Sequence, residues 1–219
     1  MPDMPANLTA AYLSAEDMNI ASSLLYLAYQ DDPFFKHCFN EKEDGYDARL
    51  RAAIREELLV YFDKKQPIVG IYDGEHHPIA IACVTLPNAG FGENRPWHWR
   101  LKMMLTTGFV STRNMMNKDA LVRQSVPASH YHLISFVAVH PNYQKQGLGQ
   151  FLLSAIDSVV NETENSEGVA VLATVEKYKT FFEQANYRFI KQIRVDQVVG
   201  DLMFKTANKM DENKQDLNG

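Results

Sequence analysis

The sequence has little cysteine, no long apolar run and no excess of positive charge. Cys38 and Cys83 are its two cysteines, too few for a disulfide framework and without the spacing of metal ligands. No apolar stretch approaches the roughly 18 residues of a membrane span, and the first residues lack the basic segment and apolar run of a secretory signal. A net charge of −5 argues against a general nucleic-acid binder. We therefore expect a cytoplasmic protein that binds neither nucleic acid nor membrane; the sequence leaves a homodimer open.

The composition instead describes one folded domain with a sizeable core. The chain has 219 residues, of which 46% are hydrophobic, and both values are typical of a single globular domain. We assign residues 1–206 to that domain and expect the polar tail 207–219 to be disordered. Within the domain, residues 88–129 form a long connection that holds both tryptophans and a methionine-rich stretch. We interpret this connection as a helical insert that is broken at Gly108.

Apolar spacing and turn signals predict alternating helices and strands. Ser14 and Asp17 form the pattern of a capping box before a first helix, which Pro33 ends because the residue before proline avoids helical angles. "DG" between two β-branched runs predicts a hairpin. The remaining elements are predicted as a helix over 47–65, strands over 131–139, 169–175, 187–195 and 200–205, and helices over 147–163 and 176–186. This order predicts an α/β fold with a mixed, mostly antiparallel sheet, helices on both faces and a parallel crossover between 131 and 174.

A segment with two glycines, "HPNYQKQGLGQ", follows directly on the apolar run "LISFVAV". The free N–H groups at a helix start bind anions, and glycine there lets a phosphate approach the backbone. Lys145 adds a nearby positive charge. The candidate main-chain donors are those of Gln146, Gly147, Leu148, Gly149 and Gln150. The pattern is neither a P-loop nor a Rossmann fingerprint, and an ordinary strand-to-helix turn is the alternative reading of these residues taken alone.

The same segment resembles the central motif of the GCN5-related N-acetyltransferases, which is an apolar strand, then V-x-P-x-x-[RQ]-x-x-G-x-[GA], then a helix. The matching residues are Val139, Pro141, Gln144, Gly147 and Gly149. The resemblance implies the acyl-CoA N-acyltransferase fold, with the sheet splayed at the coenzyme site and no metal. It places the pyrophosphate of acetyl-CoA on residues 144–150 and the pantetheine arm beside Val137, Ala138 and Val139. The main-chain N–H of Val137 or its neighbour becomes the expected oxyanion donor.

Two further features resemble the puromycin N-acetyltransferase group of this family. One is "AYQDDP", residues 28–33, which matches that group's ending of the first helix. The other is the long helical connection before the motif strand. We expect the insert to cover the acceptor end of the cleft, because loops of this length are uncommon without a functional role or structure of their own.

The usual proton donor to the leaving thiolate is missing. The family places a tyrosine in "F-Y-E", where this chain has Phe182 in "FFE". Tyr178 stands four residues earlier on the same helix face, and we predict that it supplies the proton. Its alternative role is packing against the sheet beside Phe182.

The general base and the acceptor site are left open by the sequence. His130 and His132 are candidate bases, although a histidine at a strand end is often structural. Glu176 and a water chain are the alternatives. Asp31 and Asp32, at the end of the first helix, either attract a cationic amine or form a solvated helix end. Trp97, Trp99 and the methionine pairs at 103–104 and 115–116 either line an acceptor pocket or pack the insert.

The resemblance therefore implies an enzyme that moves an acetyl group from acetyl-CoA to an amine of a small molecule or peptide. Its expected partner is an amine acceptor, and we favour a small molecule. The alternative is a coenzyme A-binding protein with little or no catalysis that serves in regulation or interaction. Phe182 at the tyrosine position favours this alternative.

Overall fold

A seven-stranded sheet runs through the part of the chain that the computed structural model describes, residues 7–87, 89 and 95–208. Its strands are β1 (Thr9–Tyr12), β2 (Ile68–Tyr72), β3 (Pro78–Thr85), β4 (Tyr131–Val139), β5 (Gly168–Ala173), β6 (Arg188–Val195) and β7 (Val198–Thr206). Their spatial order is β1-β2-β3-β4-β5-β7-β6. Only β4 and β5 run parallel within this described sheet. The predicted mixed, mostly antiparallel sheet is confirmed.

Helices cover both faces of the sheet. They are α1 (Met18–Tyr29), α2 (Pro33–Cys38), α3 (Tyr46–Asp63), α4 (Trp97–Thr107), α5 (Phe109–Ser125), α6 (Leu148–Glu162) and α7 (Glu176–Gln184). The first five bury their apolar residues in one cluster against one face. Helices α6 and α7 pack in a second cluster on the other face. No helix among the described residues has the length and apolarity that a membrane crossing requires.

Local signals located most elements correctly. The Asp17 carboxylate accepts hydrogen bonds from the Ser14 N–H (2.9 Å) and hydroxyl (3.0 Å), so the capping pattern is present. The insert is a helix pair divided at Gly108, as predicted, although residues 88 and 90–94 lie outside the described part, as does most of the tail from 209 onward.

Two elements were not predicted. Strand β1 pairs with β2 at the edge of the sheet, but all four of its residues are exposed, so the sequence shows no inward-facing alternation there. Helix α2 begins at Pro33, which suits the first turn of a helix because its missing N–H is not needed there. Helix α1 ends earlier than predicted, at Tyr29, and Pro33 begins α2 instead of ending α1.

The parallel pair β4–β5 separates halfway along β4. Its last paired residues are Ile134 and Val171, whereas the pairing of β4 with β3 continues to Val139. A register shift makes Ser135 an extra residue between Ile134 and Phe136. One extra residue reverses which side chains face which side of a sheet. The splayed strand pair that the family resemblance implies is thus present.

The insert is fixed to the domain by a buried ionic network. Arg95, just before α4, contacts Glu57 of α3 and Asp119 of α5, each at 2.7 Å. Its guanidinium also lies 4.1 Å from the centre of the Trp99 ring. Burial raises the pKa of Glu57, whereas the cations Arg95 and Lys118 outweigh burial and lower the pKa of Asp119. Arg95 therefore joins three helices that are distant in sequence.

We expect Arg95→Met to reduce the free energy of unfolding by about 3–5 kcal/mol, because it removes one partner of a buried ionic network. Glu57 would remain in an apolar environment without its cation. Denaturation in urea, followed by circular dichroism, measures this loss.

Lys102→Met is the matched control, since Lys102 is exposed and its Nζ lies 3.3 Å from the Glu56 carboxylate. Removing this surface pair should cost no more than about 1 kcal/mol. Equal losses for the two variants would contradict the importance of the buried network.

Candidate active site

A cavity opens where β4 and β5 separate. Both strands line it, and so do α1, α2, α5 and α7. Its lining residues are Ala28, Tyr29, Asp32, Phe34, Phe35, Lys118, Asp119, Val122, Leu133, Ile134, Ser135, Val137, Val171, Leu172, Ala173, Thr174, Tyr178 and Phe182. The parting of the strands therefore brings residues from distant parts of the sequence to one place.

The extra residue Ser135 sets the direction of the side chains along the open half of β4. Leu133 and Phe136 both pack on the side of α1, although three residues separate them. Val137 and Val139 therefore pack on the opposite side, with α6 and α7, whereas Ala138 is buried on the α1 side. Two of the three residues predicted beside the pantetheine arm thus face α6 and α7. Ala138 borders that side through its main chain alone.

The loop before α6 has the backbone form of an anion site. Gly147 is the N-cap of the helix, has a left-handed backbone (φ 85°) and makes no side-chain capping bond. The first N–H groups of a helix without such a cap are free for an anion. Lys145 also has positive φ (62°); its side chain is exposed and forms no ion pair with the described residues. These features fit a pyrophosphate.

The amides of Gln144 and Gln146 hold this loop in shape. The Gln144 side chain donates to the Val139 carbonyl (3.1 Å), and the Gln146 side chain donates to the Asn142 carbonyl (3.0 Å). Gln150 is exposed in the first turn of α6, whereas Leu148 is buried in the core. The contributions of residues 144–150 to coenzyme binding stay predictions.

The two glycines of the motif differ in their surroundings. A Cβ atom on Gly149 would lie 3.0 Å from two ring atoms of Phe181, which is too close for ordinary packing. Gly149 therefore lets α7 approach the first turn of α6. The expectation that both glycines clear space for phosphate stays a prediction, and the Phe181 ring gives a second reason for glycine at position 149.

Tyr178 and Phe182 both line the cavity from α7. Tyr178 is half-buried, whereas Phe182 is 2% exposed and packs edge-to-face against Phe181 and Tyr187, with ring centres 5.2 and 5.1 Å apart. The predicted proton donor thus borders the cavity. The ring in the family's tyrosine position belongs to the core.

Of the two aspartates after α1, one lines the cavity and is already bonded. Asp32 is buried; one carboxylate oxygen accepts from the N–H groups of Phe34 (2.9 Å) and Phe35 (3.2 Å), and the other accepts from the Thr174 hydroxyl. Burial raises its pKa. Asp31 is exposed and pairs with Lys36 at 3.0 Å. Asp32 therefore joins α2 to the end of β5, and Asp31 does not line the cavity.

His130 and His132 lie at the start of β4, and neither lines the cavity. His132 is fully buried, with its ring nitrogens 3.0 Å from the Ser166 hydroxyl and 3.2 Å from that of Thr163. Burial lowers the pKa of His132 to about 4. His130 lies beside Glu167. Neither histidine is among the residues that line the cavity, and neither is Glu176, so the structure brings none of the three candidate bases to it.

The insert contributes Lys118, Asp119 and Val122 to the cavity. The tryptophans and methionines that the sequence suggested as a pocket do not line it. Trp99, Met103 and Met115 are buried in the core, while Trp97 and Met104 are exposed. A second cavity adjoins the first along Asp119, Leu133 and Ser135 and reaches Arg123 and Tyr131. The insert thus borders the cavity through α5.

Tyr29 is a cavity residue that sequence reasoning did not single out. The main-chain N–H of Val137 donates a hydrogen bond to the hydroxyl of Tyr29 at 3.0 Å. These residues are 108 positions apart, and no local pattern connects them. The only signal was the position of Tyr29 within "AYQDDP".

The family follows from this fold and motif. The model of the Acetyltransferase (GNAT) family matches residues 25–187, which is well over half of the chain. The chain belongs to this family of acyl-CoA-dependent acetyltransferases, whose members generally use acetyl-CoA. A curated relative, a probable serine/threonine-protein kinase of Dictyostelium discoideum, is 23% identical over 160 residues. That match covers 66% of this chain, but the chain spans only 17% of the relative's length.

Solved structures share the fold. Histone acetyltransferase HPA2 and related acetyltransferase from Corynebacterium glutamicum gives a TM-score of 0.71 at 16% identity, covering 93% of this chain and 98% of that one. Arylalkylamine N-acetyltransferase 2 from Aedes aegypti gives 0.59 at 10% identity, with 92% and 100% covered. NAA60 of Arabidopsis thaliana, in complex with a bisubstrate analogue, gives 0.57 at 10% identity, with 93% and 100% covered. At these identities the similarity shows the fold alone.

We expect Gly147→Asp to weaken coenzyme A binding far more than Gly147→Asn does. Both side chains tolerate a left-handed backbone and both can cap the helix, so the variants differ by one negative charge. Two like charges about 4 Å apart near a protein surface repel by up to ~4 kcal/mol. Calorimetric titration should give an affinity at least about tenfold lower for Asp than for Asn. Equal affinities in the two folded variants would place the pyrophosphate elsewhere.

Proposed function

We propose that the protein is an N-acetyltransferase that moves the acetyl group of acetyl-CoA to the amine of a small molecule. The observation that carries this proposal is the cavity between β4 and β5, which is bordered by main chain, by the Tyr178 phenol and by the insert. We also propose for the chain the layout of the puromycin N-acetyltransferase group, which its helical insert and the "AYQDDP" segment resemble.

The two halves of the motif would bind different parts of the coenzyme. The N–H groups before α6 and the Lys145 ammonium would hold the pyrophosphate, while Val137 and Val139 would border the arm on the α6–α7 side. Acetyl-CoA supplies an activated acetyl group on sulfur. The reaction exchanges one bond for another: the amine nitrogen gains the acetyl group and loses a proton, and the sulfur loses the acetyl group and gains a proton.

Tyr178 is the proposed proton donor to the sulfur. It lies on the same side of the sheet as Val137 and Val139, which is the side assigned to the arm. A phenol carries a proton at neutral pH and so can donate it to a thiolate. Lys177 has its Nζ 4.8 Å from the centre of the Tyr178 ring, and this contact helps to orient the ring.

The acceptor would enter from the side of α2 and α5. Phe34, Phe35 and Val122 give this part of the cavity an apolar wall, and Asp119 adds a carboxylate. Because the neighbouring cations Arg95 and Lys118 hold Asp119, the carboxylate orients an amine more than it attracts one. An amine with an apolar or aromatic body fits this lining. The name of the arylalkylamine N-acetyltransferase among the similar structures supports such an acceptor class.

A second candidate function is coenzyme A binding without catalysis. The observation that favours it is Phe182, whose buried ring removes the phenol from the family's usual position. Such a protein would act in regulation or interaction.

Thiol release separates the two functions. The protein is incubated with acetyl-CoA and a panel of primary amines, namely arylalkylamines, polyamines, an aminonucleoside and a peptide with a free N-terminus. A thiol reagent detects coenzyme A, and mass spectrometry detects the acetylated amine. Turnover of any amine supports the enzyme. Tight coenzyme binding without turnover of any member would favour the binding protein.

We expect Tyr178→Phe to lower kcat by about 10²- to 10⁴-fold, the usual contribution of a general acid. The affinity for coenzyme A should change little, because the phenol acts on the sulfur only as the thiolate forms. Steady-state kinetics from pH 6 to 10 and calorimetric titration measure the two quantities.

Tyr12→Phe is the control, because Tyr12 is an exposed residue of β1 outside the cavity. This variant should keep the full rate. Near-normal turnover of Tyr178→Phe across the pH range would end the proposed role of Tyr178.

A further inference from the structure

The main-chain donor expected to stabilise the oxyanion already has a partner. The Val137 N–H lies on the open half of β4, beyond the last residue paired with β5. It donates to the Tyr29 hydroxyl at 3.0 Å. Val137 and Tyr29 both line the cavity. A carbonyl oxygen that approaches this N–H therefore meets the tyrosine hydroxyl first.

The Tyr29 ring is held on two sides. It packs edge-to-face against Phe35 of α2, with ring centres 5.5 Å apart, and against Phe136 of β4, with ring centres 5.3 Å apart. Both interplanar angles are 89°, the arrangement that aromatic pairs prefer. Moving the ring out of the gap would break both contacts and leave the Val137 N–H without a partner. The packing therefore favours a hydroxyl that stays in place.

The hydroxyl keeps one hydrogen to donate. A tyrosine hydroxyl can accept and donate at the same time, and here it accepts from Val137. Within the described residues, no hydrogen bond is donated by Tyr29. Burial raises the pKa of Tyr29 far above its ordinary value, and the nearby Asp32 and Tyr178 add to this rise. The hydroxyl thus remains protonated at any pH at which the protein works.

Other hydroxyl groups of the cavity are already engaged. Thr174 donates to the Asp32 carboxylate, and the Ser135 side chain forms a hydrogen bond with Tyr61. Tyr178 lies on the side of the arm and is assigned to the sulfur. Tyr29 is therefore the hydroxyl that combines a fixed ring, a main-chain donor behind it and a hydrogen to donate.

Building on the proposed acetyl transfer, we propose that Tyr29 is a catalytic residue whose hydroxyl donates a hydrogen bond to the acetyl carbonyl oxygen. The Val137 N–H acts through it: by donating to the hydroxyl oxygen, it makes the O–H a stronger donor, since hydrogen bonds in a chain polarise one another. As the amine adds to the carbonyl carbon, negative charge develops on that oxygen. The hydroxyl stabilises this charge without transferring its proton.

The first test compares Tyr29→Phe with the wild-type protein in the absence of any amine. Calorimetric titration measures the affinities for acetyl-CoA and for coenzyme A. The variant should bind acetyl-CoA about three- to tenfold more weakly, the value of one hydrogen bond, and coenzyme A equally well. Tyr26→Phe is the matched control, because Tyr26 lies one turn earlier on α1 beside Arg51 and does not line the cavity. It should change neither affinity.

The second test observes the carbonyl group directly. Infrared difference spectra of bound acetyl-CoA, with ¹²C and ¹³C in the acetyl carbonyl, report the strength of the hydrogen bond to that oxygen. The wild-type protein and Tyr26→Phe should shift the carbonyl stretch to lower frequency than in solution. Tyr29→Phe should lose this shift. With an accepted amine, kcat of Tyr29→Phe should fall by about 10²- to 10³-fold, as for the loss of an oxyanion donor.

Two results would overturn the inference. An unchanged carbonyl shift in a Tyr29→Phe protein of normal melting temperature would return the role to the main chain. Tighter binding of both ligands would show that the hydroxyl only blocks the gap. Neither readout needs an acceptor amine. A failure of this inference can therefore be told apart from a wrong choice of amine. Absence of acetyl-CoA binding by the wild-type protein would refute the proposed function and this inference together.

Discussion

The unpaired half of β4 is the constraint on which the rest of the site depends. A strand in the middle of a sheet normally satisfies its N–H and C=O groups on both sides, and a buried group left without a partner is costly. Here β5 stops pairing after Val171, so the groups beyond Ile134 on that side need other partners. Tyr29 satisfies the N–H of Val137. The gap is therefore tolerated because a side chain enters it, and the same gap gives a small molecule access to main chain.

The two faces of the sheet contribute different chemistry to this gap. From one face come the loop before α6 and the Tyr178 phenol, which belong to the layer of α6 and α7. From the other face come Tyr29 and the residues of α5. Asp32 keeps the opening in shape, since its two oxygens join the start of α2 to Thr174 just after β5. In the proposed reaction, this arrangement would bring the two substrates together from opposite sides of the sheet.

Sequence patterns predicted whatever depends on neighbours in the chain. The hairpin, the paired helices of the insert and the motif loop all follow from short signals, and they fixed the fold. Contacts between distant residues were not predictable: the bond from Val137 to Tyr29, the ionic network of Arg95, and the ring of Phe181 beside Gly149. The motif predicted the loop before α6 but not the packing of Phe181 beside Gly149, because a glycine beside a turn gives no sign of what packs against it.

The aromatic residues of α7 explain how the family's tyrosine position can carry phenylalanine. Gly149 has no side chain, so Phe181 packs on the first turn of α6. Phe181 in turn supports Phe182, and Phe182 packs on Tyr187 in the core. A hydroxyl on Phe182 would have to find a polar partner within this apolar cluster, because a buried polar group without one is costly. Tyr178 lies one turn earlier and is only half-buried, so its hydroxyl does not need a partner within the apolar cluster. The helix can therefore offer a phenol to the cavity while the Phe182 position stabilises the contact between α6 and α7.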